Sequence, residues 1–235
     1  MHKARLAKNL RCEWFSILKH QFLRRFSKDL TKPHSRLLEH ITSELKEEKT
    51  AIEGRDMDFG LQYLKTNNWR CTKANTSSKI TLSKSIDSVD ITILYKAKAP
   101  VEDSNAVESE NFGIRPKDER STARFVAIID KGAPNKLVVD VVTDNGELGI
   151  KALFYTKDVD RYLFEEDLVF GYDVYTGPPF ESLDERLKDR ITNYLDSLGI
   201  NKDLGVYVEM TSAEHEEKLY LSWLHETRDF IASIK

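Results

Sequence analysis

Histidine and cysteine are the side chains best able to move protons or act as nucleophiles near neutral pH. In this chain their spacing offers them few partners. His34 and His40 stand six residues apart, and His215 and His225 stand ten apart. At 3.6 residues per turn, neither interval sets two imidazoles side by side on a helix. His215 and His225 are therefore expected on the exposed side of an amphipathic helix. The two cysteines are Cys12 and Cys71. No histidine lies near Cys71 in the sequence, so it is expected as a small hydrophobe on a strand rather than as a nucleophile. The sequence has no Cys-x-x-Cys or His-Glu-x-x-His spacing for a metal, no phosphate-cradling glycine pattern and no Gly-x-Ser-x-Gly elbow. Carboxylates are plentiful, but spacing marks none as an acid–base pair. The inventory favours binding over catalysis. No enzyme activity, catalytic residue, metal or cofactor is expected, and a small hydrolase with an unrecognised site is the enzymatic alternative.

The first 26 residues carry a different signal. They hold seven basic residues (Lys3, Arg5, Lys8, Arg11, Lys19, Arg24 and Arg25) and one acid, Glu13. At helical spacing Leu6, Leu10, Trp14, Ile17, Leu18 and Phe22 share one side, with Arg5, Lys8 and Lys19 on another. A basic amphipathic helix of this kind is the physical signature of a mitochondrial transit peptide, and residues 1–26 are read as one. Arg24-Arg25-Phe26-Ser27 places cleavage after Phe26. Basic residues interrupt every apolar run, so the segment is not a secretory signal. Removal of Cys12 leaves one thiol and no internal disulfide, the usage of a reducing compartment. Asn75-Thr76-Ser77 matches a glycosylation sequon that a matrix protein never presents to the glycosylating machinery. No apolar run approaches the roughly 20 residues of a membrane-spanning helix.

Residues 27–235 are read as a single domain. A helix is expected over 35–52, with Leu38, Ile41, Leu45 and Ile52 on one face and Ser35 capping its start. Period-two alternation and β-branched runs then give seven strands: Trp69 to Lys73, Ile80 to Leu82, Val89 to Tyr95, Phe125 to Ile129, Leu137 to Val142, Leu148 to Tyr155 and Tyr172 to Thr176. Asp144-Asn145-Gly146 is a hairpin signal, and short connections imply an antiparallel sheet. Residues 99–122 have little periodicity and carry Glu102, Asp103, Glu108 and Glu110. They are expected to form a long, acidic, mobile loop and a candidate partner-binding site. Ser182-Leu183-Asp184-Glu185 reads as a capping box. It opens a helix whose stripe is Leu183, Leu187, Ile191, Tyr194, Leu195 and Leu198, closed by Gly199. A last helix is expected from Thr211 or Ser212, with Leu219, Tyr220, Trp223, Leu224, Thr227, Phe230, Ile231 and Ile234 as a wide apolar stripe. Such a stripe needs a partner helix or a second subunit, and Leu38, Ile41 and Leu45 supply the first.

The chain has 36 Lys and Arg against 39 Asp and Glu; setting aside the seven bases and one acid of residues 1–26 leaves 29 and 38, a side-chain charge of about −9. Such a body repels nucleic-acid phosphates on average and favours basic partners. Basic residues interleaved with aromatics occur mainly in the leader. Direct RNA binding therefore has little local support, and a mitochondrial RNA-processing factor is the alternative to an adaptor.

Three segments together resemble one family. Tyr175-Thr-Gly177-Pro178-Pro179-Phe180-Glu-Ser-Leu183-Asp184-Glu-Arg-Leu187 resembles a Tyr-x-Gly-Pro-x-Phe-x-x-Leu-Asp-x-x-Leu signature. Tyr220-Leu-Ser-Trp223-Leu224 with Phe230-Ile231 resembles a C-terminal aromatic helix. The strand-rich middle with its acidic loop completes the likeness to the mitochondrial acidic matrix protein family, also called the mitochondrial glycoprotein family. It includes the mammalian receptor for the globular heads of a complement component. The resemblance implies an α+β fold: a seven-stranded, highly twisted antiparallel sheet with one N-terminal and two C-terminal helices. It also implies a doughnut-shaped homotrimer in the mitochondrial matrix. The implied role is that of an adaptor or chaperone-like protein supporting mitochondrial translation and oxidative phosphorylation. The mitochondrial ribosome or RNA-associated proteins would be its partners. The signature residues read as a structural corner in which Gly177 frees the backbone and Pro178 and Pro179 stiffen it. The remainder here is only moderately acidic, where family members are strongly so.

Overall fold

The computed structural model describes residues 31–52, 58–98, 122–157, 159 and 175–233. Residues 1–26, the acids Glu102, Asp103, Glu108 and Glu110, and Tyr172 to Val174 lie outside them. The described chain falls into two compact units, one drawn from Met1–Gly54 and Leu221–Lys235, the other from Arg55–Tyr220.

The first unit pairs helix α1, Thr31–Ile52, with the C-terminal part of the last helix. Ile41 and Leu45 are buried from one side, and Leu224 and Ile231 from the other. The His34 ring N–H donates to the carbonyl of Ile231 at 2.6 Å. α1 begins four residues before the expected Ser35 cap. Pro33 is tolerated there because first-turn amides have no helical acceptor to lose. Ser35 lies inside the helix, where its hydroxyl donates to the carbonyl of Lys32.

The second unit is a sheet with helices on one face. Its strands are β1 Arg70–Lys73, β2 Lys79–Ile86, β3 Val89–Lys96, β4 Thr122–Asp130, β5 Lys136–Asp144 and β6 Glu147–Thr156. They lie in sequence order, each antiparallel to the next. Thr122, expected at the end of the acidic loop, opens β4. Of the expected seventh strand, the two described residues, Tyr175 and Thr176, are not in a strand.

Period two sorts the side chains. Ile80, Leu82, Ile91, Ile93, Tyr95, Phe125, Ala127, Val139 and Val141 face the helices. Leu94, Val126, Ile128, Val138 and Phe154 form a smaller cluster on the other face with Val159. Central strands buried on both faces require continuous β-branched runs, the pattern visible in the sequence. Asp140 sits on this second face, 3% exposed, and accepts both hydrogen bonds of a bidentate pair with Arg124 at 2.8 and 2.7 Å.

Four helices are present among the described residues, one more than expected. The additional one is α2, Asp58–Thr66. Helix α3, Glu185–Ser197, is capped by Asp184, whose carboxylate accepts from the amide of Arg186. The expected capping residue, Ser182, instead belongs to a 3₁₀ turn over Phe180–Ser182 and donates to the carbonyl of Pro179. Helix α4 runs Lys202–Ser233, starting nine residues before Thr211. Asn201 opens it by accepting from the amide of Leu204.

The early start of α4 explains a close approach of the β5–β6 hairpin. Asn145 and Gly146 turn the β5–β6 hairpin with φ of 53° and 81°, the signature of a type I′ turn. A Cβ on Gly146 would fall 2.6 Å from Val206 Cγ2, and one on Gly205 would fall 2.6 Å from the Gly146 carbonyl oxygen. Two glycines thus let the hairpin tip press against the first turns of α4. Glu209, buried, accepts from the amide of Gly146 at 3.0 and 3.2 Å.

Candidate functional site

Helix α4 presents Tyr207, Thr211, Glu214 and Lys218 along one stripe at intervals of four, three and four. With Gly60, Leu61 and Leu64 of α2 and Cys71, Thr72 and Lys73 of β1, this stripe lines a groove of about 570 Å³. All of these residues lie in the Arg55–Tyr220 unit. The side chains of Thr72, Lys73 and Lys218 are exposed, Leu61 is 59% exposed, and Tyr207 and Thr211 are buried.

A polar network lies beneath the groove. The Thr211 hydroxyl donates to the carbonyl of Tyr207 at 2.7 Å, so it accepts the Tyr95 hydroxyl proton at 2.8 Å. The Tyr63 and Tyr207 rings stack with centroids 4.6 Å apart. One helical turn on, the Ser212 hydroxyl donates to the carbonyl of Lys96, and His215 Nε2–H donates to the carbonyl of Ser77 at 2.8 Å. α4 therefore ties down the end of β3 and the β1–β2 turn. His215 is 3% exposed, contrary to its expected place on a surface, and His225 is half-buried. Helical spacing from Tyr207 through Thr211 to His215 explains this, since all three follow at intervals of four on the side facing the sheet.

Burial pushes the phenols of Tyr63, Tyr95 and Tyr207 up, so all three stay protonated. Burial also raises the Cys71 thiol, more than nearby Lys73 lowers it. A thiol kept protonated is a poor nucleophile, and Cys71 is half-buried rather than fully buried. The groove thus offers an apolar wall, hydroxyls, two ammonium groups and one carboxylate, which are binding contacts. Among the described residues, no cluster of His, Cys, Asp and Glu is arranged to hold a metal ion.

The signature residues are scattered by comparison. Tyr175 is 81% exposed. Gly177 has φ of 81°, and a Cβ there would stand 2.9 Å from the carbonyl oxygen of Leu153, so the chain passes close beside β6. Pro178 is exposed, Phe180 opens the 3₁₀ turn, Leu183 is half-buried and Asp184 caps α3. Leu187, expected in the core stripe, is 48% exposed, whereas Leu195 and Leu198 are buried. Tyr220 is half-buried and Leu224 buried, but Trp223 and Phe230 are 57% and 68% exposed. The expected wide stripe is therefore split. Leu224 and Ile231 face the helix pair, while Trp223 and Phe230, seven residues apart, share another side of α4.

The groove itself was not legible as a site, because residues 60–73 and 207–218 meet only in the folded chain. The Tyr207–Thr211–Glu214–Lys218 spacing was the available signal, and reading α4 from Thr211 hid its first member.

Residues 41–231 match the family described as mitochondrial glycoprotein, MAM33. The chain is 24% identical to the mitochondrial acidic protein mam33 of Schizosaccharomyces pombe over 225 residues, covering 89% of this chain and 82% of that protein. A Leishmania major protein of unknown function, described as a sequence homologue of human p32, superposes with a TM-score of 0.60 at 20% identity, covering 85% of this chain and 99% of that one. The p22 protein of Trypanosoma brucei superposes at 0.63 with 21% identity, covering 86% and 100%.

Proposed function

Because this chain belongs to the mitochondrial glycoprotein family, we propose that it is a non-enzymatic adaptor or chaperone-like protein of the mitochondrial matrix. It works as a homotrimer and supports mitochondrial translation and oxidative phosphorylation. Residues 1–26 are its cleaved transit peptide, and the acids Glu102, Asp103, Glu108 and Glu110 are a contact for basic partner proteins. The basic amphipathic leader supports import, and the kinship with a protein named a mitochondrial acidic protein agrees with that destination. No helix among the described residues is long and apolar enough to cross a membrane.

The observation that carries the assembly reading is the exposure of Trp223 and Phe230 on the helix that buries Leu224 and Ile231. Large aromatics held in water on a well-packed helix mark a surface that another chain covers. The test is affinity purification of the tagged protein from mitochondria, with and without nuclease, alongside light scattering of the purified chain. Expected are a trimer mass, a mature N-terminus at Ser27 and nuclease-resistant recovery of ribosomal or respiratory assembly proteins. Recovery only of RNA-tethered proteins would favour the RNA-processing alternative. A monomeric mass would refute the trimer.

A further inference from the structure

The groove beside α4 lies along a free sheet edge. β1 pairs with β2 from Arg70↔Ser83 to Lys73↔Ile80, and among the described residues no strand pairs with its outer side. Cys71, Thr72 and Lys73 all line the groove, and no β2 residue does. Successive side chains of a strand point to opposite faces, so only the outer edge presents three in a row to one space. In an antiparallel strand, alternate residues direct their backbone N–H and C=O to that side. The groove therefore combines backbone donors and acceptors with an apolar wall of Leu61, Leu64 and Tyr207.

The charges on this edge select among occupants. Arg70 and Lys73 close the two ends of a four-residue strand. Pairing β1 antiparallel with β1 of a second copy would set these cations against each other, which is how natural sheets discourage self-association. An acidic chain would meet no such penalty. Lys73 and Lys218 outnumber Glu214 among the charged residues of the groove.

We propose that this groove takes an extended peptide of a partner protein by β-strand addition to β1. One aliphatic side chain lies on the Leu61–Leu64–Tyr207 wall, and an acidic residue faces Lys73 and Lys218. Main-chain hydrogen bonds supply affinity in this mode, and alternate side-chain pockets supply specificity. The assignment rests on reading the protein as a binding protein and adds where, and in what conformation, a partner docks.

The test uses the full chain and a fluorescein-labelled, blocked peptide, Glu-Val-Thr-Val-Glu, followed by anisotropy up to about 1 mM. Three controls accompany it: the same peptide N-methylated at alternate amides, its Lys-Val-Thr-Val-Lys counterpart, and hydrogen exchange at residues 70–73. Expected are saturable binding of the acidic peptide, slowed exchange at β1, and loss of binding on N-methylation. Leu61→Asp should weaken binding at least about tenfold. Leu61 is already 59% exposed, so the fold survives, as an unchanged melting curve would confirm. Lys73→Glu with Lys218→Glu should reverse the preference toward the lysine peptide. Equal binding of the N-methylated peptide would overturn strand addition. So would absence of saturable binding, or variants that bind like the parent. None of these outcomes touches the trimer mass or the co-purified partners, so this proposal and the adaptor reading fail separately.

Discussion

Replacing Leu224 and Trp223 by alanine, one at a time, separates folding from assembly in adjacent residues. Leu224 is 3% exposed and packs within the α1–α4 pair, whereas Trp223 is 57% exposed on the same helix. Truncating a buried leucine loses its transfer free energy and leaves a cavity, together about 2–5 kcal/mol. That is a large share of a domain's typical margin of about 5–15 kcal/mol. Trp223 has less to lose within the chain. With more than half of its surface already in water, Trp223→Ala should cost about 1 kcal/mol there, well below the 3–5 kcal/mol of a buried tryptophan. If a neighbouring subunit covers the ring, the loss moves to association. A tryptophan at the centre of an interface contributes about 2 kcal/mol or more, roughly a thirtyfold change in dissociation constant. Urea melts read the first quantity and sedimentation equilibrium the second. Leu224→Ala should unfold at markedly lower urea. Trp223→Ala should keep its melt at low protein concentration and lose trimer at concentrations where the parent holds it. A Trp223→Ala protein that associates like the parent would refute the reasoning. So would a Leu224→Ala protein that melts like it.

Further outcomes follow from the second unit. Glu209→Ala orphans the buried Gly146 amide and should cost about 1.5–3 kcal/mol in urea melts, whereas Glu209→Gln keeps an acceptor and should cost less. Arg124→Met leaves the Asp140 carboxylate buried without its bidentate partner. It should destabilise by less than the 3–5 kcal/mol of a fully buried pair, because the Arg124 side chain is 40% exposed. Cys71 should alkylate with iodoacetamide more slowly in the folded chain than in urea at pH 8, since burial raises its thiol. The amide of Gly132, then Lys136, hold the Asp130 carboxyl below its usual value. A depressed carboxyl contributes stability that is present above its unfolded pKa and lost as pH falls through the folded one. Asp130→Asn should therefore flatten the acid limb of a urea midpoint against pH profile, below the ordinary aspartate pKa of about 3.9.

The sheet was legible because its rule is local. Alternation in β2 and β3, and the β-branched runs of β4 and β5, report burial on one face or on both within a few residues. Asn145-Gly146 reports a turn that few other pairs can make. α2 failed that test. It is nine residues long, contains Gly60, and leaves Phe59 and Leu61 exposed, so its pattern is too short to declare itself, and Tyr63 and Leu64 pack it against the core. The start of α4 was hidden for a related reason. Gly205 looks like a helix breaker in sequence, yet it sits where a side chain would strike the hairpin tip. A residue unfavourable to the local helix is required by a contact about 60 residues away.

The same logic accounts for what was misplaced at the surface. Trp223, Leu224, Phe230 and Ile231 read in sequence as one broad stripe that calls for a partner helix or a second subunit, without saying which residues meet which. α1 is one helix, and it covers the side with Leu224 and Ile231. A stripe wider than one neighbour can bury must either meet another surface or remain in water. Trp223 and Phe230 are the part that stays exposed, and sequence periodicity alone cannot say which apolar residues of a helix its own chain will bury. The groove at β1 poses the converse case. Arg70 and Lys73 look in sequence like ordinary solvated charges, and only the free edge between them gives those charges a selective role. In both places the functional content lies in what the described fold leaves exposed, so it becomes visible only after the buried surfaces are known.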